Sequence, residues 1–247
     1  MYKIGLIGKP LDHSFSKDYF ESKFKREKIS TFSYNLYPIE NLKQIRELID
    51  SENLIGLNVT SPYKIDIIQY LDQLDDTAKR TCSVNTIFIN KNKEKIGFNT
   101  DVIGFQKILQ EINLTNIKAL ILGSGGVSKT VEYCLKNKEI EYIIVSRKPK
   151  KNMIHYTEID ELIEKSLLII NTTPVGQYPN TKRNPKIPYK LLSNRHCCID
   201  LIYNPAMTRF LKKCQQKGAK IINGQKMFTR QAEASWGIWK KLVHNNV

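Results

Sequence analysis

The sequence predicts an α/β protein made of two α/β domains, and three observations carry the prediction. Short apolar runs alternate with amphipathic segments along the chain, the pattern of strands and crossover helices in mainly parallel sheets. Two of those runs, residues 83–89 and 96–99, are separated only by a polar turn. That is a hairpin, so the sheet of the first domain is mixed, though mainly parallel. Further on, the apolar run Ala119, Leu120, Ile121, Leu122 passes straight into Gly123, Ser124, Gly125 and Gly126. A helix-like segment to Lys136 and a second apolar run over 142–145 complete a βαβ unit of about 30 residues. The expected boundaries are 1–101 with 224–247 for the first domain and 102–223 for the second.

Residues 3–8 read as the first strand, broken by Lys9 and Pro10. His13, Ser14, Phe15 and Ser16 lead into a helix over 17–28 with Tyr19, Phe20 and Phe24 on one face. Ser14 and Ser16 stand two residues apart. In extended chain both hydroxyls point the same way and make a cradle for a carboxylate; alternatively, one of them caps the helix. A second strand over 33–37, a helix over 39–50 and a third strand over 56–60 follow. The third strand ends on the polar residues Asn58 and Thr60. Pro62 is placed to open a helix over 63–71, which puts Lys64 at the carboxyl end of a strand, where ligands sit in open α/β sheets. An acidic connection over 72–78, containing Asp76, leads into another helix. Asn85 lies on the first arm of the hairpin. Asp101 fits the N-cap of a helix over 102–111.

The glycine segment has the order that a dinucleotide requires. Gly123 permits a turn with unusual backbone dihedrals. Gly125 lets the main chain approach a pyrophosphate. The helix start, through Gly126, Val127 and Ser128, offers unpaired N–H groups and the positive end of its dipole. Ser128 is small enough for close packing of helix on strand. The expectation is a Rossmann-type domain. The end of its second strand selects the nucleotide. An NAD site wants an acid there for the ribose hydroxyls; this chain has Ser146, Arg147 and Lys148, then Lys150 and Lys151. Cations facing a 2′-phosphate make charge-assisted hydrogen bonds, so the cofactor expected is NADP(H), with Arg147 also against the adenine. Lys150 and Lys151 read equally well as a solvated basic turn.

Beyond this unit, residues 158–165 read as a helix and 167–170 as a buried strand with the polar end Asn171, Thr172, Thr173. A long loop over 176–188, a strand over 197–203 ending near Tyr203, a helix over 208–217 closed by Gly218 and a strand over 220–222 follow. Gly224 and Gln225 lead into a last helix over 228–243, which carries Gln231 and packs back on the first half.

Composition narrows the function classes. The chain is 247 residues long and 41% hydrophobic, enough for real cores. It has no apolar run of roughly 18 residues, so no membrane partner is expected. Five cysteines without metal spacing read as reduced thiols of a cytoplasmic protein. The four histidines are scattered, and no metal is expected. The net charge is +15, but the lysines are dispersed and no aromatic-rich RNA motif accompanies them. The reading is a solvated basic surface and no nucleic-acid partner.

Eight stretches, in order, resemble the shikimate dehydrogenase family along nearly the whole chain. They run from Gly8 to Ser16, Asn58 to Lys64, Ser83 to Thr86, Gly97 to Gly104, Gly123 to Ser128, Asn171 to Pro174, Asp200 to Pro205, and Gly224 to Gln231. The resemblance implies an NADP-dependent oxidoreductase acting on a CH–OH group, the reversible reduction of 3-dehydroshikimate to shikimate in chorismate and aromatic amino acid biosynthesis. The alternative is a quinate/shikimate dehydrogenase with broader substrate or NAD use. By the resemblance, Lys64 and Asp101 are the catalytic pair. Ser14 and Ser16 hold the substrate carboxylate, and Thr60, Asn85 and Gln231 bind the ring hydroxyls, with Asn58 and Tyr203 nearby. Met227 lies against the nicotinamide, Thr172 joins the cofactor site, and Asp76 and Gly224 line its edge or that of the substrate. The implied state is a monomer or homodimer.

Overall fold

The computed structural model describes residues 1–12, 14–112 and 117–245, the side chains of 244 and 245 excepted. His13 therefore lies outside the described residues. The chain divides into two compact units, Met1–Thr100 with Gln231–Val247, and Asp101–Arg230.

The first unit is built on a six-stranded sheet. In chain order its elements are β1 (Tyr2–Gly8), α1 (Ser16–Arg26), β2 (Phe32–Pro38), α2 (Ile45–Glu52), β3 (Leu54–Val59), β4 (Gln73–Leu74), α3 (Asp76–Thr81), β5 (Thr86–Ile89) and β6 (Lys95–Phe98). The spatial order is β2-β1-β3-β5-β6-β4. β1 pairs parallel with β2 and β3, and β4 with β6; β5 runs against both neighbours. One reversed strand follows from the 86–98 hairpin, so the sheet is mixed and mainly parallel.

Three local expectations change. α1 starts at Ser16, and Phe15 before it already has helical dihedrals, so the 14–16 segment is not extended. The expected helix over 63–71 is a 3-10 turn over Asp66–Tyr70. The chain first turns back at Thr60, whose carbonyl accepts the Tyr63 N–H, and the β-branched Ile65, Ile67 and Ile68 favour a full α-helix weakly. Residues 42–44 also form a 3-10 turn, closed by a capping box between Asn41 and Gln44, before α2 begins.

The second unit contains α4 (Asp101–Gln110), β7 (Lys118–Leu122), α5 (Gly126–Lys136), β8 (Glu141–Val145), β9 (Met153–Ile154), α6 (Asp160–Ile163), β10 (Leu168–Asn171), β11 (Cys197–Asp200), α7 (Arg209–Gln215) and β12 (Lys220–Ile222). Its six strands are all parallel, in the order β12-β11-β10-β7-β8-β9. The order reverses between β7 and β10, which makes that gap the switch point of a doubly wound sheet. Alternate residues of β7 face opposite layers. Ala119 and Ile121 pack with Phe105, Val131 and Leu135; Leu120 and Leu122 pack with Ile163, Phe210 and Leu211. Burial on both faces is why the strand reads as an unbroken apolar run. β11 stops at Asp200, short of the expected Tyr203, because Asp200 turns its carboxylate onto the Ile202 N–H.

The last helix, α8, spans Gln225–Asn245 and so begins three residues earlier than expected. From Gln231 onward it belongs to the first unit. Ala232, Trp236, Trp239 and Val243 form its buried stripe, against Phe20, Phe24 and Tyr34. Phe20 stacks on Tyr34 with ring centroids 4.4 Å apart, and Trp236 meets Phe32 edge-on at 4.8 Å. Trp239 is fully buried and donates its indole N–H to the Ile87 carbonyl at 2.9 Å. Gly56 of β3 lies against that indole, which leaves no room for a side chain. Gly56→Ala should therefore destabilise the protein by about 1–3 kcal/mol through overpacking, read as a lower urea midpoint with little change in m-value.

Candidate active site

In the first unit the candidate residues gather where β1, β3 and β5 meet the turn over 60–64. The Thr60 N–H donates to the Ile7 carbonyl at 2.9 Å, which holds the end of β3 beside β1. The Val59 N–H donates to the Asn85 carbonyl, and the Val84 N–H to the Lys64 carbonyl, both at 2.8 Å. The backbones of Thr60, Lys64 and Asn85 are thereby fixed to one another. The side chains of Thr60 and Lys64 are half-buried.

Beneath them lies a buried polar network. The Asn85 amide donates to Thr100 Oγ1 at 2.9 Å and to Gln231 Oε1 at 3.2 Å, and its Oδ1 accepts the Thr100 N–H at 2.8 Å. Thr86, Thr100 and Ser235 are mutually hydrogen-bonded. Two candidate substrate groups, Asn85 and Gln231, are therefore a hydrogen bond apart. Asn58 belongs to the same network. Its Oδ1 accepts from the Tyr34 hydroxyl at 2.9 Å, and its amide donates to the Asn85 carbonyl, Thr86 Oγ1 and Ser235 Oγ. Its polar atoms all have protein partners, as do those of Asn85.

Sequence reasoning did not single out Tyr34, Thr86, Thr100 or Ser235. The signal available was a hydroxyl in an otherwise buried position, such as Thr86 at the head of the apolar run over 86–89. Ser14 and Ser16 are both half-buried. The Ser14 hydroxyl accepts the Ser16 N–H at 3.3 Å in a short turn at the start of α1, rather than the extended pairing expected. Asp76 stands apart: it is 88% exposed beside Lys79 on the first turn of α3, which Asp75 caps.

Asp101 is buried as the first residue of α4, one position inside the helix, not at its N-cap. Its negative charge adds to the burial that pushes the Cys134 thiol up to about 12. The Thr100 N–H bond to Asn85 fixes the chain immediately before it.

In the second unit the nucleotide candidates meet at the switch point. Gly123 follows β7 with φ +116, and a side chain there would strike Thr172 and Thr173, which follow β10. Thr172 is tied to the end of β7 twice: its N–H and hydroxyl both donate to the Leu122 carbonyl, at 3.0 and 2.9 Å. A Cβ on Gly125 would meet nothing within 4 Å. Gly125 is also the N-cap of α5, and no side-chain hydrogen bond caps that helix. Open space beside free first-turn N–H groups fits a phosphate. Ser124, Gly125, Gly126 and Val127 border that space, and Ser124 Oγ lies 3.1 Å from Ser146 Oγ at the end of β8. Arg147 and Lys148 are exposed, and the Lys148 N–H rests on Ser146 Oγ. Burial pushes the Tyr156 phenol up while the positive charge of Arg147 pulls it down, which puts the guanidinium near that ring. Tyr203 packs on Phe228 at 4.6 Å. Met227 is buried in the core against Gly104 of α4, and Gly224 is pressed on the Leu201 carbonyl. Among the described residues no cluster of His, Cys, Asp or Glu could hold a metal, and no helix is long and apolar enough to cross a membrane.

A glycine turn at the switch point of a doubly wound sheet, an uncapped helix start and an acid-free basic end to the next strand define a dinucleotide-binding α/β enzyme, here carrying a second, mixed-sheet unit. Comparison with known proteins narrows the class. Residues 6–87 match the family described as shikimate dehydrogenase substrate binding domain. The chain is 41% identical to the shikimate dehydrogenase (NADP(+)) of Methanococcus maripaludis, over 96% of this chain and 91% of that one. It superposes on shikimate dehydrogenase 1 of Peptoclostridium difficile with a TM-score of 0.87 at 33% identity, covering 98% of this chain and 92% of the other. It also superposes on the Thermus thermophilus shikimate 5-dehydrogenase in complex with NADP(H) and shikimate, with a TM-score of 0.85 at 26% identity over 98% and 94%. The chain belongs to the shikimate dehydrogenase family.

Ser128 of α5 is fully buried and its hydroxyl has no hydrogen-bond partner. Leaving a hydroxyl unpaired costs about 1–3 kcal/mol. Ser128→Ala should raise the unfolding free energy by about 1 kcal/mol and leave NADP+ affinity unchanged, as read by urea titration and calorimetry.

Proposed function

We propose that this protein is an NADP(H)-dependent shikimate dehydrogenase that reversibly reduces 3-dehydroshikimate to shikimate. The observation that carries the reading is the 41% identity, over 96% of the chain, to a relative of that name. The switch-point turn at Gly123 and the cations at Arg147 and Lys148 agree with it.

When bound, NADPH supplies the hydride. The first-turn N–H groups of α5, with Ser124, Gly125, Gly126 and Val127, are proposed to hold its pyrophosphate. Thr172 is proposed to border the phosphates, and Ser146, Arg147 and Lys148 to hold the adenosine end, with Arg147 on the 2′-phosphate. Gly224 and Met227 are assigned to the nicotinamide end. The exposure of Asp76 leaves it a peripheral part at most. Ser14 and Ser16 take the carboxylate of the substrate, and Thr60, Asn85, Gln231 and Tyr203 its hydroxyls. Asn85 and Gln231 suit a diol because their amides hold each other in a fixed relation.

Reduction of a ketone also needs a proton on oxygen. Lys64 as an ammonium stabilises the developing alkoxide and donates that proton; Asp101 as a carboxylate favours the charged amine. In the reverse direction the neutral amine accepts the proton from the alcohol. We place the protein in the cytoplasm as a monomer or homodimer acting on small molecules rather than nucleic acid, in keeping with its free cysteines and dispersed cations.

The test is a spectrophotometric assay following NADPH absorbance, with shikimate and quinate each offered with NADP+ and NAD+. Activity on shikimate with NADP+ is expected; none in any combination would overturn the reading. Lys64→Ala should lower turnover roughly 10²–10⁴-fold with little change in the KM for shikimate, and wild-type turnover would remove Lys64 from the proton transfer. Arg147→Ala should raise the KM for NADPH by roughly tenfold or more and the KM for NADH much less. Equal effects on both cofactors would show that it does not read the phosphate.

A further inference from the structure

A chain of hydrogen bonds, buried at its centre and half-buried at its outer end, crosses the second unit behind the switch point, centred on a carboxylate that the proposed chemistry does not use. Asp200 ends β11 and is fully buried. Its Oδ2 accepts from the Thr208 hydroxyl at 2.6 Å, and Thr208 Oγ1 in turn accepts the Leu211 N–H and caps α7. Its Oδ1 accepts from the Asn171 amide at 3.0 Å and from the Ile202 N–H at 3.2 Å. Asn171 passes the chain on, its Oδ1 accepting both the hydroxyl and the N–H of Thr173, at 2.6 and 3.1 Å. Thr173 Oγ1 then accepts the Val175 N–H at 3.3 Å.

The chain reaches the two loops that leave the carboxyl ends of β10 and β11. They are joined once more where the Tyr178 N–H donates to the Asn204 carbonyl at 3.1 Å. The first loop begins with Thr172, whose two bonds to Leu122 set it against Gly123. An apolar side chain at position 200 would fill the core at no electrostatic cost, whereas a buried carboxylate loses its hydration and recovers it only through well-aimed donors. What the carboxylate adds is direction: each donor it holds fixes a different backbone segment. Burial also pushes this acid up to about 6.

We infer that Asp200, acting through Asn171 and Thr173, is a positioning residue for the nucleotide site, setting the loop after β10 against the glycine turn. The inference rests on the reading that this unit binds NADP(H). None of the three residues is among those proposed to touch the cofactor, so their effect is on the shape of the crevice.

The experiment uses the full-length protein with Asp200→Asn, Thr173→Val and Thr173→Ser, measured by steady-state kinetics and by calorimetric titration with NADP+. Thr173 is half-buried at the outer end of the chain, so its variants fold even if Asp200→Asn does not, and they then decide alone. Asp200→Asn and Thr173→Val should raise the KM for NADPH and the Kd for NADP+ by roughly 3–10-fold, the equivalent of one net hydrogen bond. The kcat at saturating NADPH and the KM for 3-dehydroshikimate should move by less than about twofold, a level within the error of comparing single hydrogen bonds. Thr173→Ser, which keeps the hydroxyl, should bind NADP+ as the wild type does. Unchanged NADPH KM and NADP+ Kd in the folded variants, with only a lower melting temperature, would overturn the inference and leave Asp200 as a support for Thr208, the cap of α7. A wild-type protein that fails to bind NADP+ would sink the nucleotide reading itself, and this inference with it.

Discussion

The bond between the Asn85 side chain and the Thr100 N–H is the constraint on which the first unit's candidate site depends. It ties the start of β5 to the residue before Asp101 at 2.8 Å. The same amide reaches Gln231 on α8, so three separate parts of the chain take their positions from one side chain. An amide buried in this way is costly unless all its groups are paired. Asn58, Thr86, Thr100 and Ser235 supply those partners among themselves. Such a network tolerates few alternative arrangements, because each displaced member leaves another group unpaired in a low-dielectric interior. The aromatic layer of Phe20, Tyr34, Trp236 and Trp239 shields it from water and links it to α1, whose first turn carries Ser16.

The second unit reaches precision by a different route. Its candidate ligand groups are mostly backbone: the N–H groups at the start of α5, exposed because Gly125 has no side chain and no side chain caps the helix. The sheet beneath is apolar on both faces and therefore stiff in register. Polar side chains enter only at the strand ends, where Asn171 and Asp200 organise the loops. The excess of cations over acids is spread widely in the chain, and after β8 it is concentrated next to Ser146, at Arg147, Lys148, Lys150 and Lys151.

Much of this was legible in the sequence because it depends on local chemistry. The glycine turn was visible since only a small set of residues permits φ near +116 and an open helix start. The hairpin over 86–98 was visible from two apolar runs and a polar turn. Less legible were the boundaries set by long-range bonds. α1 begins at Ser16, and the turn over 66–70 replaces a helix, since neighbouring strands rather than local propensity fix the chain there. Asn58 shows the same limit. Its partners Tyr34, Thr86 and Ser235 come from three other elements, and no stretch of the sequence around it announces them.

The sequence by itself determined the fold class, the glycine turn and the acid-free basic stretch after β8, because periodicity, glycine stereochemistry and the absence of an acid are properties of neighbouring residues. Tertiary structure alone decided which polar side chains hold each other, and it made Asp200 the centre of a hydrogen-bond chain from Thr208 to Val175. Those partners lie up to dozens of residues apart in the chain, and no local pattern encodes a pairing that exists only once the sheet has formed.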